Sequence, residues 1–234
     1  MIFARERAEV IANKLKKLMV VQKFQLDDWK VKEGFFLRPE EADLAEEDWE
    51  PFDSRLMHWY GPDRHYWFRT VFTIPEEYDG KGLWLRIRTQ IEEWDDAKNP
   101  QFLVFLNGEV VQGADMNHRE VLLSEAATAG ETVTVDLQAY SGTLHPEFRL
   151  MADVEEVSQP VKDLYYDIQV PLWAMDRMDQ EGKTAIDILT VLNDTISLLD
   201  LRDVYSDDFY RSVEAARAYI AKALYEDLAG DDTV

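Results

Sequence analysis

The stretch Phe102-Leu103-Val104-Phe105-Leu106-Asn107-Gly108-Glu109-Val110-Val111 decides how the chain is read. Two apolar runs flank Asn-Gly, and both central positions of a type I′ turn need φ > 0, which Asn and Gly adopt at little cost. The stretch therefore predicts a β-hairpin. Outward from it the period-two pattern continues. Residues 66–74 are aromatic and β-branched and stop at Pro75. Leu83, Leu85 and Ile87 alternate with Trp84, Arg86 and Arg88, giving an inner and an outer face. Further strands are expected at 120–123, at 132–139 with Val133, Val135, Leu137 and Ala139 on one side, and at 148–157 with Phe148, Leu150, Ala152 and Val154 on one side. Short strands with turn signals and no intervening helices predict an antiparallel β-sandwich, jelly-roll-like.

The period changes at both ends of the chain. Ala4, Ala8, Ile11, Leu15 and Leu18 form one helical stripe, with Glu6 and Glu9 early and Lys14, Lys16 and Lys17 late, as the helix dipole prefers. After Pro160, residues 161–170 read as extended, and Pro171 reads as the opening of a helix. Ile186, Leu189, Leu192, Ile196 and Leu199 make one stripe beside a second of Ile188, Val191, Thr195 and Leu198, which predicts a helix buried between neighbours. Ser206 is a good N-cap, with Asp207 and Asp208 in the first turn, for a helix carrying Phe209, Val213, Ala216 and Ile220 and ended by Gly230. The expected fold is β-rich α+β: a helical arm over 1–30, a β-sandwich over 31–159 and a helical linker over 160–234. The acidic stretch 40–53 reads as a solvated loop.

Composition narrows the partners. The 234 residues carry a net charge of −22, with 46% hydrophobic residues, 7 Trp, 10 Tyr, 11 Phe and no Cys. Such a charge repels phosphate backbones and anionic bilayers, and no stretch approaches the ~20 apolar residues of a membrane span, so neither nucleic acid nor membrane is expected as a partner. Without Cys there is no disulfide framework, thiolate nucleophile or Cys-based zinc site. The first residues lack the apolar core of a secretory signal, and a cytoplasmic protein is the expectation. Residues 1–20 carry +3 and residues 21–160 carry −16, so the first helix is expected to fold back onto its own acidic chain.

Candidates for chemistry are few. His58, His65, His118 and His145 form no HExxH or His-x-His-x-Asp pattern, so no metal ligand is assigned. Glu92, Glu93, Asp95 and Asp96 surround Trp94, but in a chain with 47 acidic residues such pairs arise by chance. No nucleophile elbow, Walker loop or dinucleotide fingerprint is present, and no catalytic residue is assigned. Asp115, Asn117, His118 and Arg119 follow the hairpin and offer groups matched to sugar hydroxyls, with Trp94 as a solvent-facing ring. The competing reading is that Asp115 and Asn117 bond to the turn backbone.

Several segments, in order, resemble the N-terminal region of the α-mannosidases of glycoside hydrolase family 38. They are Trp59-Tyr60-Gly61-Pro62-Asp63-Arg64-His65-Tyr66-Trp67-Phe68-Arg69, Phe72-Thr73-Ile74-Pro75, Asn99-Pro100-Gln101, Asn107-Gly108-Glu109, Gln112-Gly113 and Asp115-Met116-Asn117-His118-Arg119-Glu120-Val121. Leu164-Tyr165-Tyr166-Asp167, Leu199-Asp200-Leu201-Arg202 and Phe209-Tyr210-Arg211-Ser212-Val213-Glu214-Ala215-Ala216 are similar to the helical connector that follows. The resemblance implies a sandwich and helical linker that precede a catalytic barrel, where zinc and an Asp nucleophile carry out retaining hydrolysis of α-mannosides. The barrel's His-x-His-x-Asp zinc element is absent, so no family catalytic or metal residue is carried onto this chain. The expectation is an N-terminal portion of a longer enzyme, inactive alone, with zinc in the catalytic domain. Its partners would be that barrel, the α-mannoside substrate through the full-length enzyme, and a second copy in a homo-oligomer. The alternatives are a free-standing carbohydrate-binding sandwich module and a partner-binding protein whose handle is the basic first helix.

Overall fold

The computed structural model describes residues 3–44, 48–90, 100–143, 147–179 and 181–228. They divide into two compact units, residues 22–157 and residues 1–21 with 158–234. The first unit is the sandwich. Its six-stranded sheet runs in the order β3-β2-β5-β10-β7-β8, with β2 Asp28–Glu33, β3 Glu50–Asp53, β5 His65–Thr73, β7 Gln101–Leu106, β8 Glu109–Ala114 and β10 Thr132–Tyr140. A four-stranded sheet runs β1-β12-β6-β9, with β1 Val20–Leu26, β6 Leu83–Arg88, β9 Glu120–Ser124 and β12 Met151–Val157. The short β4 Trp59–Tyr60 pairs with β11 Glu147–Phe148. The hairpin of β7 and β8 turns at Asn107 (φ 50°) and Gly108 (φ 88°), the left-handed pair that its sequence demands.

Alternation builds the core. Phe68, Val104, Val135 and Leu137 from the larger sheet pack with Leu83, Leu85, Ile87, Val121, Ala152 and Val154 from the smaller. Trp59 lies among them, 4.9 Å from the Phe148 ring and 5.4 Å from that of Phe68. The fold is therefore an antiparallel sandwich with an N-terminal helix and C-terminal helices, as its periodicities indicate.

The second unit has its own core. Helix α1 Ala4–Leu18 buries Ala8, Ala12 and Leu15 against α3 Gln159–Met175, α4 Lys183–Ser197 and α5 Asp207–Ile220, and an irregular helical turn, Ala221–Leu228, follows. Arg5 reaches Asp176, and Arg7 donates to Asn193 Oδ1 at 2.8 Å. Ser206 Oγ caps α5 by accepting from Phe209 N–H at 3.2 Å.

Five expectations need correction. The arm over 1–30 is helical only to Leu18; Val20, Val21 and Phe24 then enter β1, where alternation lets Phe24 and Leu26 join the sandwich core. Residues 161–170 are helix, because Pro160 is tolerated in a first turn and Val161, Leu164, Ile168, Leu172 and Met175 fall on one buried stripe. Pro171 lies inside that helix and opens nothing. Helix α4 buries one broad face, while Ile186 and Leu198 stay exposed. Finally, residues 40–53 hold part of helix α2 Pro39–Leu44 and strand β3, and Ala42 and Trp49 pack on the sheet. Gly230 lies outside the described residues.

Candidate functional site

Asp115, Asn117, His118 and Arg119 lie in the tight turn between β8 and β9. Asp115 Oδ1 accepts the backbone N–H groups of Asn117 and His118, both at 2.7 Å, and stands 3.1 Å from His118 Nδ1. Burial pushes the Asp115 carboxyl up, but the backbone amides of His118 and Asn117 together with the His118 side chain outweigh it and hold the group below its ordinary value. Arg119 Nε donates to Met116 O at 2.6 Å. Asp115 Oδ1 and Arg119 Nε thus bond the turn's own backbone. Against it lies a cavity of about 10 Å³, lined by Ile87, Thr89, Phe102 and Met116 among others, with room for one water at most. Trp94 lies outside the described residues. Among the described residues no group of three or more His, Asp or Glu is placed to hold a metal.

A different surface converges. On the face of the six-stranded sheet turned away from the sandwich core, the register sets His65, Tyr140 and Gln101 in one row across β5, β10 and β7. The next row on that face is Trp67, Gln138 and Leu103, with Lys32 of β2 opposite Trp67, and the third is Arg69, Asp136 and Phe105.

The second and third rows are roofed. Phe36, Ala42 and Trp49 from the 35–49 segment pack on Trp67, Leu103 and Phe105. Arg69 ties the roof down: its Nε is 2.5 Å from Asp136 Oδ1, its Nη1 is 2.6 Å from Asp43 Oδ1, and its guanidinium lies 4.7 Å from the Trp49 ring centre. Lys32 Nζ, buried at 3% exposure, donates to Ala42 O at 2.6 Å. A buried ammonium must find such partners, and here they fasten helix α2 to the sheet.

The first row is left open. Gly34 N–H donates to His65 O at 2.9 Å, and the Gln138 amide donates to Phe36 O, so the chain is held to the sheet on both sides of Phe35. The Phe35 ring, 64% exposed, stands edge-on to the His65 ring at 4.8 Å, which in turn lies 5.1 Å from the Tyr140 ring. Between them is a cleft of about 220 Å³, lined by Phe35, His65, Gln101, Leu103, Gln138 and Tyr140 together with Phe102 and Ala139. Tyr140 O–H donates to Asp63 Oδ1 at 3.1 Å, and that bond, with some burial, pushes the phenol up.

A second cavity of about 270 Å³ shares Leu103 and is lined by Arg38, Glu40 and Glu109 as well. The first cleft was missed in the sequence because its residues come from three strands and one loop. Alternation puts Gln138 and Tyr140 opposite Leu137 and Ala139, but only register sets them beside His65 and Gln101.

No family model and no curated protein matches the chain. Among solved structures, it is similar to a β-glucuronidase from Ruminococcus gnavus in complex with a C6-substituted uronic isofagomine, at 14% identity over 59% of this chain with a TM-score of 0.40. The same enzyme in complex with D-glucuronic acid is 13% identical over 59% of this chain, again with a TM-score of 0.40. The chain spans 29% and 30% of the length of those two enzyme chains.

Proposed function

We propose that the chain is the non-catalytic N-terminal segment of a zinc-dependent, retaining α-mannosidase of family 38, and that its role there is architectural. One observation supports this reading: the segments that carry the family resemblance serve as framework. Trp59 and Phe68 fill the sandwich core, Asn107-Gly108 turns the hairpin, and Asp115 closes its own turn. In the helical unit, Asp200 and Arg202 pair side by side, Ser212 Oγ accepts the Asp200 N–H at 3.0 Å, and Phe209 is fully buried. In the parent enzyme the sandwich would shape substrate approach or contribute oligomer contacts.

The test is an assay of the purified chain with an aryl α-mannoside, with and without added zinc, alongside metal analysis of the protein. No turnover and no stoichiometric zinc is the expected result; zinc-dependent turnover would sink the proposal.

A further inference from the structure

The open cleft at the first row of the six-stranded sheet has an uncharged lining. The chain is 31% charged, yet none of the eight residues around this cleft is Asp, Glu, Lys or Arg. The neighbouring cavity, by contrast, is lined by Arg38, Glu40 and Glu109. Tyr140 spends its O–H on Asp63, but three other polar groups of the open cleft keep bonding capacity. Neither the His65 ring nor the Gln101 amide bonds to any described residue, and Gln138 uses its NH₂ on Phe36 O while its carbonyl oxygen has no partner among the described residues. Apolar surface sits beside them: the exposed Phe35 ring on one side and Leu103 in the same face.

We infer that this cleft binds a neutral pyranose ring. The ring's aliphatic face would lie on Phe35 and its hydroxyls would bond to Gln101, the Gln138 carbonyl and the His65 ring. Three physical points select that class. An uncharged lining on a strongly acidic chain disfavours anions by long-range repulsion and offers a cation no counter-charge. Amide and imidazole groups that both donate and accept suit hydroxyls, which do the same. Neighbouring strands stand about 4.8 Å apart, and hydroxyls spaced around a pyranose can meet polar side chains on two of them at once.

Size agrees: an open cleft of about 220 Å³ is roomy enough for a small ligand on the scale of one six-membered ring with its hydroxyls. The inference rests on the cleft alone and holds whether or not the chain belongs to a mannosidase.

The test is an amide-resolved NMR titration of the whole chain with methyl α-mannoside and methyl β-glucoside, with sodium glucuronate and adenosine as comparison ligands. Saturable shifts clustered at His65, Leu103, Gln138 and Tyr140 are expected for at least one neutral glycoside, with weaker binding of glucuronate. Phe35→Ala, at an exposed position that leaves the fold intact, should weaken binding about tenfold through lost ring contact. Asp115→Ala should leave the affinity unchanged. The inference is overturned if neither glycoside saturates, if shifts cluster at residues 115–119, if adenosine alone binds, or if Phe35→Ala binds as tightly as the unchanged chain. Because the titration involves neither zinc nor hydrolysis, its failure is separate from failure of the mannosidase reading.

Discussion

At the scale of single residues, backbone conformation and local bonds decide more than side-chain chemistry does. Gly34 has φ +153°, and a Cβ placed there would lie 2.5 Å from Phe36 Cε2. Gly34→Ala should therefore cost about 1–3 kcal/mol in urea unfolding, by straining the segment that holds Phe35 over the cleft. Asp200 is a second case. Its two oxygens meet Arg202 Nε at 2.9 Å and Nη2 at 2.6 Å, and these bonds hold its carboxyl down to about 2 from an ordinary 3.8. A carboxyl lowered by folding binds protons less well in the native state, so its contribution is present above 3.8 and is lost as pH falls from 3.8 to about 2. Arg202→Ala should return the Asp200 titration, followed by carboxyl carbon NMR, towards 3.8. The sequence reading of Asp115 offered two outcomes, a sugar ligand or a turn residue, and the N–H groups two and three positions ahead take up its Oδ1.

At the scale of elements, alternation and turn chemistry made most of the sandwich legible, and pairing did not. The Asn107-Gly108 hairpin follows from the φ values those residues tolerate, and Asn107 does more than turn: its Oδ1 accepts from Thr134 N–H at 2.9 Å, tying β7 to β10. Asn107→Ala should cost about 1–2 kcal/mol, read as a lower urea midpoint at unchanged slope. Strand β1 was hidden because Val20-Val21-Gln22-Lys23 directly follows a strong helical stripe. Helix α3 was hidden because Pro160 and Pro171 read as breakers, although one sits in the first turn and the other is buried inside the helix with its stripe intact. The cleft was beyond sequence reading for a related reason. His65, Gln101 and Gln138 are far apart in the chain, and only the register of β5, β10 and β7 makes them neighbours. The roof over the adjacent rows was equally hidden, since an acidic stretch gives no sign that Ala42 and Trp49 face a sheet.

At the scale of the whole molecule, each compact unit has its own core, one built around Phe68 and Leu137 and the other around Leu164, Ile168 and Phe209. The net charge of −22 acts on both. Self-repulsion opposes compaction, and salt screens it over about 8–10 Å at physiological strength, so the melting temperature should rise with added sodium chloride at neutral pH. A fall would show that ion pairs such as Arg69 with Asp136 outweigh the net repulsion. Among the described residues no helix is long and apolar enough to cross a membrane. Whether the chain accompanies a catalytic domain, as proposed, is tested most directly by the reading frame that encodes it. Sequencing the gene past the Val234 codon should reveal a His-x-His-x-Asp element followed by several hundred in-frame residues; a stop codon there, or an unrelated domain, would contradict the account.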